Sequence, residues 1–246
     1  MSPFRTKGER AVVNAYRDGL KKGLPIGLGY LSVSFGFGVS AVNGGLKALW
    51  ALLISMTNLT SAGQVAGLAV LAAHGPLIEM ILTQLVINLR YALMGVALTQ
   101  KLGRFPLPHR LLAAFGITDE IFAVAAAERK PVTPSFFYGL MTLPYLGWAL
   151  GTLLGALAGD VLPASVSGAL GLAIYAMFVA IVVPAAREDG GVGWAALIAC
   201  GLSCLFRYLP LFSFLSSGFS VIVSAVVAAA VMALVRPVGE REGASS

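Results

Sequence analysis

Apolar runs of about twenty residues follow one another along most of this chain. They lie at about 24–45, 48–73, 76–99, 133–158, 165–186, 192–209 and 212–236. A helix of about 20 apolar residues crosses the roughly 30 Å hydrocarbon core of a bilayer. Helices satisfy their own backbone hydrogen bonds, which lipid cannot do for them. The sequence therefore predicts an all-α integral membrane protein, a polytopic helical bundle of about seven membrane segments.

The composition agrees with this fold class and excludes others. Of 246 residues, 58% are hydrophobic and 11% are charged, whereas a soluble domain has about 25% charged residues. The net charge of +6 does not indicate a nucleic-acid partner, because the basic residues cluster at the chain ends and in one loop. No G-x-S-x-G, H-E-x-x-H or P-loop motif occurs. We therefore predict no enzymatic activity, no cofactor and no metal.

The distribution of charge divides the chain into three regions. Residues 1–23, rich in lysine and arginine, are predicted to be a basic cytoplasmic leader. Residues 24–236 are predicted to be a single transmembrane transporter domain, and the polar tail 237–246 to be disordered. Lysine and arginine also recur in the connection 100–132. Because such loops stay on the cytoplasmic side, the N- and C-termini are predicted to be cytoplasmic.

This orientation leaves two topologies open. Either residues 24–45 turn back without crossing, or they cross and the segment Leu111 to Ala127 also crosses or half-crosses. Residues 24–45 are rich in glycine and contain Pro25, so they are the favoured candidate for a broken or re-entrant helix. The alternative is that these glycines serve close packing between helices.

A weak internal repeat is present. Leu24-Pro25 recurs as Leu143-Pro144, and Leu89-Arg90-Tyr91 recurs as Phe206-Arg207-Tyr208. These matches predict two repeats of three segments, 24–99 and 137–209, followed by a final helix. Chance matching of short strings is the alternative. In transporters built from such repeats, the substrate binds near the interface between the halves.

Arg90 is the most unusual residue of the apolar segments. It lies some fifteen residues into the run 76–99, where an arginine costs a few kcal/mol and usually faces a partner, protein or water. The helix face without polar groups carries Ile81, Leu85, Leu89, Leu93 and Val96. Arg90 is predicted to bind a carboxylate or to pair with an intramembrane acid; the alternative is an arginine that snorkels to the interface.

Two further groups of polar residues lie in apolar surroundings. The string Asn58-Leu59-Thr60-Ser61-Ala62-Gly63-Gln64 could unwind its helix and free backbone groups to bind a small zwitterion, or could serve hydrogen bonding between helices. In Thr118-Asp119-Glu120, one of the two adjacent carboxylates could be protonated, as a proton-coupling group must be. These carboxylates could equally pair with Arg90 or mark a solvated helix start.

These strings, in this order, resemble the AzlC-like family of branched-chain amino acid permeases. The similarity runs from about Lys22 to Pro237. Besides the three polar strings, its markers are Gly151-Thr152-Leu153-Leu154-Gly155 and Ala176-Met177-Phe178-Val179-Ala180. The resemblance implies a secondary transporter in the cell membrane. On this resemblance we expect it to export branched-chain or similar small hydrophobic amino acids, with a small AzlD-like membrane subunit as partner. The carboxylates of Asp119 and Glu120 favour protons as the counter-transported ion.

From the residues and this resemblance together we predict which side chains act. The predicted substrate-binding residues are Ser61, Gly63, Gln64, Asn88 and Arg90, and the predicted proton-coupling residues are Asp119 and Glu120. Two alternatives stay open at this point. One is a non-transporting membrane scaffold or sensor, and the other is a transporter of a different small amphipathic solute.

Overall fold

The computed structural model describes residues 7–103, 105–159, 175–176, 179–180, 182–212 and 214–236. Those residues are helical apart from short connections. The helices are α1 (Lys7–Asn43), α2 (Ala48–Thr57), α3 (Ser61–Ala72), α4 (Leu77–Thr99), α5 (Leu107–Phe115), α6 (Asp119–Ala126), α7 (Pro134–Ala158), α8 (Gly190–Tyr208) and α9 (Ser217–Val235). Residues 182–188 are also helical, and a 3₁₀ turn covers Pro210–Phe212.

Five helices of the described residues are long and apolar enough to cross a membrane. They are Ala15–Asn43 of α1, Leu77–Thr99, Pro134–Ala158, Gly190–Tyr208 and Gly218–Val235. The predicted all-α membrane fold is thereby confirmed, and the predicted number of seven segments is approximate. The segment predicted at 165–186 lies largely outside the described residues. The segments predicted at 48–73 and 111–127 are each two short helices, α2 with α3 and α5 with α6.

The glycine-rich first segment is one continuous helix, so the prediction that it is broken or re-entrant is wrong. Helix α1 runs for 37 residues with Pro25 inside it, and it begins within the predicted leader. The glycines are used for packing instead, which was the alternative. They bring the backbone of α1 against that of α7, and this contact compensates for the low helix propensity of glycine.

Helices α1 and α7 run parallel and pack along their length through glycines on both sides. A Cβ atom built at Gly19 would lie 2.1 Å from the carbonyl oxygen of Phe136, near the start of α7. One built at Gly155, near its end, would lie 2.0 Å from the carbonyl oxygen of Phe35. No side chain fits at such distances. The pair therefore forms a rigid frame, and Leu24-Pro25 and Leu143-Pro144, matched in the predicted repeat, lie at similar levels of it.

Gly38→Ala is expected to lower the stability of the protein by about 1–3 kcal/mol, the usual cost of overpacking. Its Cβ would lie 2.2 Å from the carbonyl oxygen of Thr152, which is backbone and cannot rotate away. Gly29→Ala is the matched control on the same helix, because nothing lies within 4 Å of its Cβ. It should leave stability unchanged or slightly raised, since alanine is the better helix former. Thermal unfolding in detergent measures both, and equal melting temperatures would contradict this packing.

The contacts group the chain into two compact units. The first contains α1, α2, α5, α6 and α7, with residues 61–64 of α3 and residues 88–99 of α4. Its core is built around Ile121, Phe137 and Leu140. The second contains the rest of α3 and α4, with α8 and α9, and Ser203 on α8 hydrogen-bonds Ser224 on α9 at 3.1 Å. The single transporter domain and the repeats 24–99 and 137–209 stay predictions.

Candidate functional site

A break in the segment 48–73, one of the two alternatives for its polar string, is present and lies at that string. Helix α2 ends at Thr57, Asn58 has a non-helical backbone (φ −136°, ψ 89°), and α3 begins at Ser61. Asn and Thr favour such a break because their side chains compete with the helix for backbone groups. Thr60 is buried, and its hydroxyl accepts a hydrogen bond from the backbone N–H of Gly63 at 3.3 Å.

Gln64 holds this break together from the first turn of α3. It is 2% exposed. Its Nε2 donates to the carbonyl oxygen of Asn58 at 2.8 Å and to Ser55 Oγ at 3.2 Å. Its Oε1 accepts from Nε1 of Trp148 on α7 at 3.1 Å. Ser55 is in turn 2.7 Å from Thr152 Oγ1 on α7. Because every polar atom of the amide is used, Gln64 fixes the broken segment to the α1–α7 frame.

Arg90 forms an ion pair with Asp119, which was one of the alternatives predicted from the sequence. Its Nη1 lies 2.9 Å from Asp119 Oδ2, and the two side chains are 39% and 24% exposed. Nη2 donates to the hydroxyl of Tyr91 at 3.1 Å, and the guanidinium lies over the Tyr91 ring at 4.9 Å. Nε is buried without an acceptor among the described residues. Arg90 is therefore turned toward an acid of the protein and keeps donor capacity to spare.

The two carboxylates stand at the start of α6, where the positive end of a helix stabilises negative charge. Thr118 is buried and caps the helix, its hydroxyl accepting from the N–H of Ile121 at 3.3 Å. The hydroxyl of Tyr30 on α1 lies 2.7 Å from Thr118 Oγ1 and donates to the carboxylate of Glu120. Asp119 thus faces Arg90 while Glu120 faces Tyr30.

Two aromatic residues that sequence reasoning missed connect these parts. The rings of Tyr30 on α1 and Trp148 on α7 meet edge to face at 5.1 Å. Through them the Arg90–Asp119 pair and Glu120 are joined to Gln64 by an unbroken series of contacts. Only a weak signal for them is present in the sequence. Tyr30 and Trp148 are aromatic side chains inside apolar runs, and the hydroxyl of tyrosine and the N–H of tryptophan usually have a hydrogen-bond partner when buried. We call Tyr30, Gln64, Arg90, Asp119, Glu120 and Trp148 the polar network.

The other predicted substrate-binding residues lie close to the polar network in sequence. Ser61 is the first residue of α3, Gly63 is buried next to Gln64, and Asn88 is half-buried on α4 two residues before Arg90.

Arg207, the repeat-related arginine, is exposed in the last turn of α8, in the other unit. Cys200 and Cys204 are exposed and form no disulfide. The described residues contain no cluster of side chains suited to a metal ion.

Two cavities of the first unit lie away from the polar network. One of about 700 Å³ is lined by both signs of charge, including Asp18, Lys22 and Lys130. Another of about 500 Å³ is lined mainly by apolar surface, with Tyr16, His109 and Tyr138 around it. Neither is lined by a residue of the polar network. Neither of these two cavities is therefore part of the polar network.

Comparison with known proteins places the chain in a family. The sequence pattern of the family described as AzlC protein matches residues 25–162, which is more than half of the 246 residues. The chain belongs to the AzlC family. The match covers α2 to α7 and almost all of α1 after the predicted leader, and hence the whole polar network. The resemblance drawn from the sequence is thereby confirmed.

Individual relatives agree with this assignment. An uncharacterized membrane protein of Archaeoglobus fulgidus is 34% identical over 69% of this chain and 75% of its own length. The inner membrane protein YgaZ of Escherichia coli is 31% identical over 68% and 72%. The branched-chain amino acid transport protein AzlC of Bacillus subtilis is 24% identical over 77% and 74%. No solved structure matches the chain. As a member of the AzlC family, the protein is a membrane protein of a family associated with branched-chain amino acid transport.

Proposed function

We propose that this protein is a secondary transporter that exports branched-chain or similar small hydrophobic amino acids across the cell membrane in exchange for protons. The observation that carries the proposal is the ion pair of Arg90 and Asp119, partly exposed and next to Glu120, in an otherwise apolar part of the first unit. A charge pair at membrane depth is costly and marks a substrate or ion pathway. The relative in Bacillus subtilis bears the name of a branched-chain amino acid transport protein.

A zwitterionic amino acid has the two charges that match this pair. Its carboxylate binds the guanidinium of Arg90, which suits bidentate contact with a carboxylate. Its ammonium binds Asp119 or Glu120. The substrate thus replaces one ion pair by two, so no charge is left without a partner. Arg90 Nε, buried without an acceptor among the described residues, is a further donor for the substrate carboxylate.

The aliphatic side chain binds apolar groups close to the pair. Met94 lies one helical turn beyond Arg90 on α4, and Ile117 immediately precedes Thr118. Both pack in the hydrophobic core that contains Ile121 and Phe137. A site of this kind favours leucine, isoleucine or valine over polar amino acids, because each buried CH₂ contributes about 0.8 kcal/mol.

Gln64 has a supporting part in this proposal. Its amide is occupied by Asn58, Ser55 and Trp148, so it shapes the break at which Ser61 and Gly63 stand. Through Trp148 and Tyr30 it also fixes Glu120. Asn88 lies half-buried on the same helix as Arg90, where its amide is a further substrate contact.

Protons and substrate compete in this scheme, as exchange requires. Protonation of Asp119 or Glu120 removes the negative charge that binds the ammonium, and the amino acid is released. Loss of the proton restores the carboxylate and with it the affinity. Proton entry then alternates with amino acid exit. The affinity for the amino acid is therefore expected to fall as the pH falls.

The assembly in the membrane completes the proposal. Both termini lie in the cytoplasm, and a small AzlD-like membrane subunit binds the protein. The apolar face of α4 is exposed along the helix, with Ile81, Leu85, Leu89, Leu93 and Val96 each more than half exposed. Acyl chains cover such a face, and a helix of a small partner also fits on it.

A second candidate function, a membrane scaffold or sensor without transport, is favoured by one observation. The buried polar atoms of Gln64 all have partners within the protein, as expected of groups that only join helices. The exposure of the Arg90–Asp119 pair supports transport instead, because at 39% and 24% both side chains are accessible to a solute.

Efflux from proteoliposomes tests the proposed function. Vesicles that contain the protein and its small partner are loaded with labelled leucine or valine. They should lose the label faster than loaded vesicles without protein. An inward proton gradient should accelerate this loss. In Asp119→Asn the gradient should no longer accelerate efflux, because asparagine cannot exchange a proton. Lysine in place of leucine is the substrate control. Equal retention of leucine with and without the protein would refute amino acid export, and an unchanged gradient effect in Asp119→Asn would assign proton coupling elsewhere.

A further inference from the structure

Glu79 is a buried carboxyl group that the proposed transport scheme does not use. It lies in the first turn of α4, in the second unit, and is 1% exposed. Acidic residues are rare in membrane segments and are usually functional there.

The carboxyl group lies against the start of α9. Its Oε1 accepts a hydrogen bond from the backbone N–H of Gly218 at 2.8 Å. A Cβ atom at Gly218 would lie 2.5 Å from that oxygen and 2.7 Å from Oγ1 of Thr83. Only glycine therefore allows the helix start to approach the acid so closely. The first N–H groups of a helix have no partner within the helix, so one of them is available to Glu79.

Two polar atoms at this place are buried without a hydrogen bond. They are Oε2 of Glu79 and Oγ1 of Thr83, neither of which has a partner among the described residues. Thr83 follows Glu79 by one helical turn and is fully buried. Buried polar atoms normally have partners, so two orphans at one place require an explanation.

Among the described residues, no cation is paired with Glu79. Within the part of the chain that the structure describes, the ion pairs are Lys22 with Glu128 and Arg90 with Asp119. Two elements contact Glu79: the turn before α4, which approaches it at Gly75, and the first turn of α9. Their one titratable side chain among the described residues is His74, which is exposed.

We propose that Glu79 is a proton-binding site in which Oε2, buried without a hydrogen-bond partner among the described residues, takes up a proton. The fold stabilises both the carboxylate and the protonated acid of Glu79. The N–H of Gly218 and the positive end of α9 stabilise the carboxylate. Burial of the side chain, which is 1% exposed, stabilises the neutral acid. A metal cation is disfavoured, because it would stand at the positive end of a helix.

Protonation changes how α9 is held. The bond from Gly218 to a carboxylate is charge-assisted and about twice as strong as a bond to a neutral acid. Uptake of one proton changes the charge of Glu79 from −1 to 0 and weakens this bond. The start of α9 is thus released at low pH and held at high pH. This behaviour does not depend on which solute the protein transports.

Infrared difference spectroscopy on the full chain in lipid nanodiscs tests the proposal. Spectra recorded across a pH series should show a carbonyl band of a protonated carboxylic acid that appears on acidification. Glu79→Gln should lack this band, while Glu120→Gln should retain it. Glutamine can still accept from Gly218, so the variant should fold. A spectrum of Glu79→Gln with the same titrating bands as the wild type would overturn the proposal.

Amide hydrogen exchange tests the same hydrogen bond at its donor, the backbone N–H of Gly218. Protection of the amides at 217–220, corrected for intrinsic rates, should fall as the pH is lowered in the wild type and should be independent of pH in Glu79→Gln. Equal pH dependence in both proteins would overturn the coupling to α9. Replacement of K⁺ by Na⁺ should leave the titration unchanged, and a shift would show a metal cation site instead.

Discussion

Arg90→Ala is expected to reduce amino acid export about 30- to 150-fold while the protein still inserts into the membrane. Truncating one member of a buried, hydrogen-bonded charge pair costs about 2–5 kcal/mol, and the lower half of that range applies because Arg90 is 39% exposed. A loss of about 2–3 kcal/mol corresponds to this factor, since every 1.4 kcal/mol is tenfold. The variant removes the group that we propose binds the substrate carboxylate, and it leaves Asp119 without its cation. Initial efflux rates, normalised to the amount of inserted protein, measure the effect.

Arg207→Ala is the matched control for this prediction. Arg207 stands in the related string Phe206-Arg207-Tyr208, but it is exposed near the end of α8. Its removal should leave export within about twofold of the wild type, because exposed charges contribute little. Arg90→Lys should recover only part of the activity, since an ammonium cannot grip a carboxylate bidentately. Full activity of Arg90→Ala would show that the arginine is a structural anchor and would refute its role in binding.

The sequence was sufficient where local chemistry decides the structure. The membrane spans of α4 and α7 follow from their length and apolar composition, and the observed bounds agree closely with 76–99 and 133–158. The break before Ser61 follows from Asn58 and Thr60, which compete with the helix for backbone groups. An acidic partner for Arg90 was one of the alternatives, because a charge in an apolar segment needs compensation.

The other parts of the fold and of the site depend on contacts between residues far apart in the chain, and local sequence does not predict such contacts. The glycines of α1 indicate a broken helix when only the helix itself is considered. The partners of Gly19, Gly23, Gly27 and Gly38 are backbone atoms of α7, more than a hundred residues away, and this contact keeps α1 continuous. Tyr30 and Trp148 were not predicted as site residues, because their partners also lie far away in the sequence. Tyr30 meets Glu120 across 90 residues, and Trp148 meets Gln64 across 84.

Gln64→Ala is expected to destabilise the protein by about 2–5 kcal/mol. The change leaves Nε1 of Trp148 without its acceptor and the carbonyl oxygen of Asn58 without its donor, and each buried polar group left unsatisfied costs about 1–3 kcal/mol. No water replaces these bonds readily, because Gln64 is 2% exposed. Thermal unfolding in detergent measures the loss. Gln100→Ala, at an exposed site just after α4, is the control and should have little effect.

Gln64→Glu separates the hydrogen bonds of this side chain from its volume. A glutamate fills the same space and still accepts from Trp148, but it places a carboxylate oxygen against the carbonyl oxygen of Asn58, which lies 2.8 Å from Nε2 in the wild type. The variant should therefore be destabilised at neutral pH and partly recover at low pH, where the protonated acid donates to Asn58. If the glutamate variant is as stable as the wild type at neutral pH, Gln64 does not hold the break between α2 and α3. The polar network would then lose its connection from that break to Glu120.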